Sequence, residues 1–419
     1  MRVARLKLGA LSPLGNLDYR RLLAGTVIWW QCFYMEMVVL GWMVFDLSDS
    51  ARTVSLVGAC RTLPLLLVSL FSGPIIDYIG RRRVVIFAQG ANLAAYLAIV
   101  LLLASGHARP WNIGIVAFCL GTAWALDWPT RRSLVPDMLG KERMVDGLLL
   151  ESFLTGIARI IAPSMAGALI ARYGAVGCYM AMAALSVSAL GVLVPLLRGQ
   201  PPREPKPLKM AALPVVGEGL RYVRSNSTLL AVVLITLIMN LWIFPYVSLL
   251  PVFTRDVLHK GPIELGLLST ATGMGSFLGL LTLNFLRQRV RVTTLFVVGT
   301  GWMCVALAVF ALSRLYPLSW AMLFCAGMGM ACFGTLQSTI VLMFTSDEMR
   351  SRVMGVLVLA IGGDPLGQLQ IGSLAERFGV QATLAGQAGA ALLAVALIAT
   401  LLGVLRPQPR AQPPAESGS

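Results

Sequence analysis

Long apolar stretches alternate with short polar connections along almost the whole chain. Each stretch is bounded by charged residues, proline or glycine, which commonly mark the ends of helices. A helix that crosses the hydrocarbon core of a bilayer needs about 20 mostly apolar residues. The pattern therefore predicts an all-α polytopic membrane protein with twelve transmembrane helices. The twelve apolar spans lie at about 22–45, 54–76, 84–104, 111–133, 146–171, 176–197, 228–252, 263–286, 292–313, 318–344, 352–376 and 381–404.

The composition supports this prediction and excludes other classes of protein. Hydrophobic residues make up 57% of the 419 residues and charged residues 13%, and the mean hydropathy is +0.78. These values exclude a soluble enzyme, a secreted disulfide scaffold and a disordered chain. The seven cysteines all lie in apolar stretches without a Cys-x-x-Cys or Cys/His cluster, and only two histidines occur. We therefore predict no metal site and no cofactor.

The net charge of +15 is explained by membrane topology, so we expect no nucleic-acid partner. With the N-terminus in the cytoplasm, 25 of the 34 Lys and Arg residues fall in cytoplasmic segments, seven fall on the other side and two lie inside spans. Basic residues collect in the cytoplasmic loops of membrane proteins. We therefore predict that both termini are cytoplasmic.

A long polar segment divides the chain into two parts of similar length. It opens with RGQPPREPKPLK, whose proline and basic content is typical of a hydrated linker, and a short surface helix is predicted at 210–224. The predicted organisation is a cytoplasmic N-terminus (1–21), a six-helix bundle (22–197), a cytoplasmic linker (198–227), a second six-helix bundle (228–404) and a disordered cytoplasmic tail (405–419).

An internal repeat favours the same division. A shift of 206 residues places GPIIDYIGRRR (73–83) on GLLTLNFLRQR (279–289), so that the glycine and two arginines coincide. Several further matches occur near this offset, among them Arg-Tyr-Gly at 172–174 and Arg-Phe-Gly at 377–379. The repeat indicates two duplicated halves that run in parallel.

The segment GPIIDYIGRRRVV (73–85) resembles the signature Gly-x-x-x-Asp-x-x-Gly-Arg-[Arg/Lys] of the major facilitator superfamily, at the family's position between the second and third spans. Stretches such as WMVFDLSDSARTVSLVGACRTLPLLL and MRSRVMGVLVLAIGGDPLGQLQIGSLAERFG resemble its third drug:proton antiporter subfamily, which includes enterobactin-exporter-like proteins. The resemblance covers nearly the whole chain. Two features depart from the antiporter pattern: the fourth span lacks an intramembrane Arg, and Ala162-Pro163 replaces the Gly-Pro of the fifth.

The resemblance implies the major facilitator fold and a secondary active transporter that works by alternating access as a monomer. We expect it to export a drug, siderophore or metabolite by coupling to a proton gradient, in the inner membrane of a bacterium. The expected partners are the small-molecule substrate, membrane lipid and protons. A multi-pass enzyme acting on lipids, a channel and an importer of the same fold stay open as alternatives. The chain has no Walker motif, which excludes ATP-driven pumping, and it has no nucleophile motif, so we predict that it is not an enzyme.

The loop signature has a physical interpretation of its own. The carboxylate of Asp77 ends the second span and could lie against the exposed N–H groups at the start of a neighbouring helix, for which the eleventh span near Arg352 is suitably placed. The glycines permit a close approach and a tight turn. The arginines can pair with acids or lipid phosphate, or simply set the topology. The resemblance implies that the loop is a conformational latch on the cytoplasmic side, formed by Gly73, Asp77, Gly80, Arg81, Arg82 and Arg83.

Charges inside the spans are candidates for translocation or coupling. At 1.5 Å per residue, four of them lie roughly 18–21 Å from the cytoplasmic face. Because an uncompensated charge costs several kcal/mol in hydrocarbon, we expect them to pair around a central cavity or to form static bridges between helices. We expect Glu36 to pair with Arg61, and Asp364 to pair across the halves and to act in proton coupling. The four residues are Glu36, Arg61, Arg159 and Asp364.

Two further sets complete the candidates. Asp127 and Arg131 are four residues apart and can pair along one helix, and Glu151 lies at a similar depth, so we predict a structural cluster or a cytoplasmic gate. Aromatic and polar residues in the central spans could line a pocket for bulky organic molecules, although Trp and Tyr also anchor membrane interfaces. The pocket candidates are Trp30, Gln31, Tyr34, Asn240, Trp242 and Gln337.

Overall fold

The computed structural model describes residues 12–197 and 212–404, which are almost entirely helical. Eleven segments in these ranges are long and apolar enough to cross a membrane. One of them, Glu142–Leu197, is interrupted at Gly174, so the twelve predicted transmembrane helices are confirmed. They are α1 (Leu17–Ser48), α2 (Ala51–Ile79), α3 (Arg81–Ala104), α4 (Pro110–Gly140), α5 (142–173), α6 (175–193), α7 (Ser227–Val257), α8 (Pro262–Leu286), α9 (Val292–Leu312), α10 (Tyr316–Phe344), α11 (Arg350–Phe378) and α12 (Val380–Leu401).

Single glycines separate several consecutive helices. Gly80, Gly140, Gly174 and Gly379 have φ angles of 94°, 71°, 69° and 82°, a region that residues with a side chain rarely adopt. Each angle turns the chain within one residue, between α2 and α3, α4 and α5, α5 and α6, and α11 and α12. Short connections of this kind make consecutive helices pack antiparallel.

Two helices contain irregular segments. In α7, Met239–Ile243 and Phe253–Val257 are π-helical, and a turn at 244–245 separates the first of them from the rest of the helix. In α11, the helix Arg350–Ile361 stops at two glycines and a new helix begins at Asp364. Such interruptions free backbone groups within the membrane and are typical of binding sites in transporters.

The predicted surface helix of the linker is confirmed at Ala212–Ser225, within about two residues. It packs against the start of α11: Val223 is fully buried, and Glu218 forms an ion pair with Arg352. The residues 1–11, 198–211 and 405–419 lie outside the described ranges, and with them most of the predicted N-terminus, part of the linker and the predicted tail. The boundaries of the two bundles stay a prediction; below, the first half means the helices before residue 198 and the second half those after residue 226.

The two halves touch at one end of the molecule, which we call the closed end. Asp49 forms an ion pair with Arg255, and Arg52 forms another with Glu376 at 3.7 Å. Within the described ranges, the hydrogen bonds and ion pairs between the halves lie between this end and the Arg159–Ser276 contact near mid-depth. Among the contacts reported for the described residues, none joins the halves at the opposite end, which carries Gly80 and the linker helix.

Glycines let the two halves approach closely between mid-depth and the closed end. A side chain on Gly266 of α8 would meet the backbone oxygen of Pro163 of α5 at 2.5 Å, and one on Gly372 of α11 would meet Ser55 of α2 at 2.6 Å. Small residues at helix contacts allow backbones to pack against each other in a membrane. The α5–α8 and α2–α11 contacts therefore frame a space that opens toward the other end.

Candidate functional site

A central cavity with two lobes lies between the halves. The acidic lobe has an empty volume of about 1140 Å³, including space open to solvent, and its charged lining residues are Glu36, Arg61 and Asp364. The arginine lobe has an empty volume of about 1060 Å³ on the same measure, and its charged lining residue is Arg159. The enclosed parts of the two lobes measure about 270 and 290 Å³, and together they suit a small organic ligand. The waist shared by the two lobes consists of Phe33, Met37, Trp124, Phe244, Val247 and Met330.

The expected ion pair between Glu36 of α1 and Arg61 of α2 is present. Arg61 donates from Nε to both carboxylate oxygens of Glu36, at 3.0 and 3.3 Å, and the two side chains are 11% and 2% exposed. The guanidinium also lies over the rings of Phe33 and Trp124, at 5.4 and 5.5 Å from their centroids. Because the two charges neutralise each other at close range, the pair adds little net charge to the acidic lobe.

Asp364 is the first residue of the second part of α11. Its carboxylate accepts a hydrogen bond from Gln368 Nε2 at 3.4 Å, and Thr62 of the first half lines the same lobe. Across the described residues, no Lys, Arg or His lies within 4.0 Å of this carboxylate, so the structure does not make the expected ion pair with the first half. Arg61 is already bound by Glu36, and Arg159 lines the other lobe.

Arg159 of α5 is bound by neutral groups. Its Nε donates to Tyr34 Oη at 2.8 Å and its Nη1 donates to Ser276 Oγ of the second half at 3.1 Å. The guanidinium lies 5.3 Å from the centroid of the Tyr34 ring. In the ranges that the structure describes, no carboxylate forms an ion pair with it. The four predicted mid-depth charges thus surround one cavity, but only two of them are paired.

The structure separates the six residues predicted to line a pocket. Gln31 lies 3.9 Å from Met165 Sδ, Gln337 accepts a hydrogen bond from Thr236, and Trp242 lines a small separate space within the second half. None of these three side chains lines either lobe of the cavity. The residues that do line the cavity are Trp30, Tyr34 and Asn240.

Sequence reasoning missed all six residues of the waist. Phe33 and Met37 had a usable signal, since each lies three residues after a predicted pocket residue of α1 and therefore on the same helix face. Trp124 and Phe244 had no comparable signal, because apolar aromatic residues occur on every face of a transmembrane helix. Gln368, which accepts from Ser248 Oγ at 2.5 Å at the edge of the acidic lobe, was also missed.

The predicted gate cluster lies inside the first half. Arg131 donates from Nε to Asp127 Oδ1 at 2.9 Å, and both side chains are buried. Its other nitrogens donate to Thr26 of α1 and Gln89 of α3, both at 3.3 Å. Glu151 is 8% exposed and makes no ion pair with a described residue. The arrangement braces α1, α3 and α4 against each other, and a gating role stays a prediction.

The arginines of the loop signature tie α3 to other helices of the first half. Arg81 forms an ion pair with Asp137 at 2.7 Å. Arg82 forms one with Asp18 at 3.4 Å and donates to the backbone oxygen of Leu196 at 2.8 Å. These contacts show that the two arginines hold protein groups, whichever part they also play in topology.

The expected latch contact of Asp77 is not made in this conformation. Asp77 is exposed, as are Gly73 and Arg83, and its carboxylate has no hydrogen bond or ion pair to a described residue. The start of α11, where we expected it to dock, is instead held by the Glu218–Arg352 pair of the linker helix. The halves are separated at this end, which leaves the carboxylate out of reach.

A family model described as "Transmembrane secretion effector" matches residues 8–415. The multidrug efflux pump Tap of Mycobacterium tuberculosis is 27% identical over 387 residues, which cover 89% of this chain and 90% of that protein. The enterobactin exporter EntS of Citrobacter koseri is 24% identical over 379 residues, with 88% and 86% covered. The staphyloferrin A transporter of Staphylococcus aureus is 22% identical over 355 residues, with 84% and 87% covered.

Solved structures share the fold at low sequence identity. The nucleoside transporter NupG aligns with a TM-score of 0.75 at 13% identity, covering 93% of this chain and 100% of the other. A POT family transporter in complex with 5-aminolevulinic acid aligns with a TM-score of 0.76 at 12% identity, covering 94% and 97%. At these identities the likeness concerns the fold alone.

Proposed function

Because this chain belongs to the transmembrane secretion effector family of the major facilitator superfamily, we propose that it exports small organic molecules by alternating access. It is a multi-pass membrane transporter and not an enzyme. The relatives that it resembles over most of its length are transporters as well. The efflux pump and the exporter among these relatives support the outward direction. The distribution of Lys and Arg supports cytoplasmic termini, and the bacterial relatives support a bacterial inner membrane.

The observation that carries this proposal is the cavity between the halves, which is closed at one end only. By the distribution of basic residues, the closed end faces away from the cytoplasm, so the substrate enters from the cytoplasmic side. Export then requires the ion pairs of Asp49 with Arg255 and of Arg52 with Glu376 to break. The moving units would be the bundles 22–197 and 228–404, each acting within a single monomer, and Asp77 would dock at the start of α11 in the other state.

We also propose that protons drive the export and that Asp364 carries the proton. It is the cavity carboxylate without a cationic partner among the described residues, whereas Glu36 is neutralised by Arg61. A carboxylate without such a partner can take up a proton at low cost in a site of low dielectric. The proton would load from the outside and leave to the cytoplasm before substrate binds.

Flux measurements in reconstituted proteoliposomes test the proposal. A pH gradient, imposed so that protons run opposite to the substrate, should drive accumulation that an uncoupler abolishes. Asp364→Asn should lose this accumulation but keep downhill exchange at saturating substrate, because exchange needs no net proton movement. Asp46→Asn, which removes an exposed carboxyl group near the closed end, is the matched control and should behave like the unmodified protein.

Each alternative has its own outcome. A substrate flux that is the same with and without the pH gradient would refute proton coupling. The protein would then be a facilitator of downhill transport. Accumulation driven by protons that move with the substrate would make the protein an importer. Normal proton-driven accumulation by Asp364→Asn would exclude Asp364 from coupling.

A further inference from the structure

The cavity carries two uncompensated charges of opposite sign, one in each lobe. Asp364 accepts a hydrogen bond from the amide of Gln368, and Arg159 donates to two hydroxyl groups. In the described part of the chain neither forms an ion pair with a protein side chain. The remaining charges of the cavity, Glu36 and Arg61, compensate each other at 3.0 Å.

Both side chains lie at a depth in the membrane where the charged form of a side chain has a high free energy. A charge in a site of low dielectric is destabilising unless an opposite charge or water solvates it. Among the described residues, the two groups have polar neighbours but no counter-charge. A ligand that brings its own counter-charges would therefore gain more from this cavity than from water.

The waist between the lobes is apolar and partly aromatic. Phe33, Trp124 and Phe244 line both lobes, together with Met37, Val247 and Met330. Aromatic rings and thioethers pack well against flat apolar bodies of varied shape. A ligand that spans both lobes must place an apolar middle section at this position.

We propose that the substrates are amphipathic zwitterions, with a protonated amine in the acidic lobe, an anionic oxygen in the arginine lobe and an apolar, preferably aromatic body at the waist. This rests on the proposed function and specifies its substrate class. A cation without the anionic group would leave Arg159 uncompensated, and an anion without the amine would leave Asp364 uncompensated. A zwitterion satisfies both side chains and adds no net charge to the membrane interior.

The proposal is tested with three matched quinolones and purified protein in detergent. Norfloxacin is a zwitterion with an aromatic body, its ethyl ester keeps only the cationic amine, and its N-acetyl derivative keeps only the carboxylate. Equilibrium dialysis, read by the fluorescence of the quinolone, gives the three dissociation constants at neutral pH. We expect norfloxacin to bind about tenfold or more tightly than either analogue, since a hydrogen bond to a charged group is lost in each.

Single variants assign each end of the ligand to a lobe. Asp364→Asn should weaken norfloxacin and its ester about tenfold and leave the N-acetyl derivative unchanged. Arg159→Gln should weaken norfloxacin and the N-acetyl derivative to a similar degree and leave the ester unchanged. Asp364→Glu and Arg159→Lys keep the charges and should restore most of the affinity, which separates loss of charge from loss of folding. Asp46→Asn and Arg172→Gln, which alter an acid and a base outside the cavity, are the matched controls.

Equal or tighter binding of a singly charged analogue, absence of norfloxacin binding, or variants that weaken all three ligands equally would overturn the proposal. Binding at equilibrium requires no transport, so the two proposals can fail separately. The expected binding pattern without flux in vesicles would refute export and leave the substrate class intact. Transport of other compounds, without the expected pattern of quinolone binding, would refute the substrate class and leave export intact.

Discussion

The ion pair between Glu36 and Arg61 offers a quantitative test of the cavity's electrostatics. Glu36→Gln leaves a guanidinium without its counter-charge beside two aromatic rings, and Arg61→Gln leaves a carboxylate that is 2% exposed. Removing one partner of a buried pair costs about 3–5 kcal/mol, because the other charge stays desolvated, whereas removing both is often close to neutral. The double variant should therefore be more stable than either single variant.

The size of the effect can be expressed as a melting temperature. Unfolding entropies near 2.1 cal/mol/K per residue in soluble proteins give roughly 0.9 kcal/mol/K for a chain of this length. A loss of 3–5 kcal/mol then corresponds to a decrease of roughly 3–6 °C. We expect the lower part of this range for Glu36→Gln, since Phe33 and Trp124 stabilise the remaining cation.

Thermal unfolding of the four proteins in one detergent, followed by intrinsic tryptophan fluorescence, completes a double-variant cycle. The double variant should melt above both single variants and within about 2 °C of the unmodified protein. Asp46→Asn should leave the melting temperature unchanged, because that carboxyl group is exposed. If the two single losses simply add in the double variant, the pair is not coupled and the assignment of net charge to the lobes is wrong.

Three further outcomes follow from the contacts described above. If the latch forms in the other state, Asp77→Asn should keep normal abundance but reduce transport by up to about fivefold, because a carboxylate at a helix N-terminus contributes about 0.3–1 kcal/mol. Glu142→Gln, which alters an exposed acid at the same end, is the control, and equal flux for both variants would exclude a latch. Arg255→Gln breaks a partly exposed ion pair worth about 0.2–1 kcal/mol, so the population of the state that is open at this end should rise by up to about fivefold. Distances between spin labels across the closed end measure this population, and an unchanged distance distribution would contradict a gating role. Gly80→Ala forces a side chain into a φ of 94° at a cost of about 1–3 kcal/mol and should lower the melting temperature by about 1–3 °C, whereas an unchanged value would mean that the turn rearranges.

The number, order and approximate ends of the transmembrane helices could be predicted from the sequence. In a membrane every backbone polar group must be satisfied within a helix, so a run of about 20 apolar residues leaves the chain few alternatives. The boundary at Gly174 could also be predicted, because one apolar span ends just before Arg-Tyr-Gly and the next begins just after it. A glycine adopts the positive φ angle of this turn at little cost. The internal repeat predicted two parallel halves, and the resemblance of the loop signature to a known family predicted how the helices are arranged.

Pairing within the membrane was partly predictable. Depth along adjacent antiparallel helices is fixed by the rise per residue, so Glu36 and Arg61 could be matched from the sequence, as could Asp127 and Arg131 on one helix. The rotation of a helix about its axis could not be predicted, because apolar residues surround these helices on all sides and leave little amphipathic signal. Gln31 and Trp242 were therefore predicted to line the pocket but line neither lobe, and Gln337 lies two turns from Met330 on α10, outside both lobes.

The partners of Asp364 and Arg159 were decided by the tertiary structure alone. The sequence supplies two acids and two bases at one depth, which is compatible with two ion pairs. Which charges meet depends on the interruption of α11 at Gly362 and Gly363, on the close α5–α8 contact and on how far the halves are tilted. These are properties of packing between helices distant in the chain, and they leave one acid and one base uncompensated in separate lobes of the same cavity. The sequence determined that such charges lie inside the membrane, and the fold determined which of them remain available to a ligand.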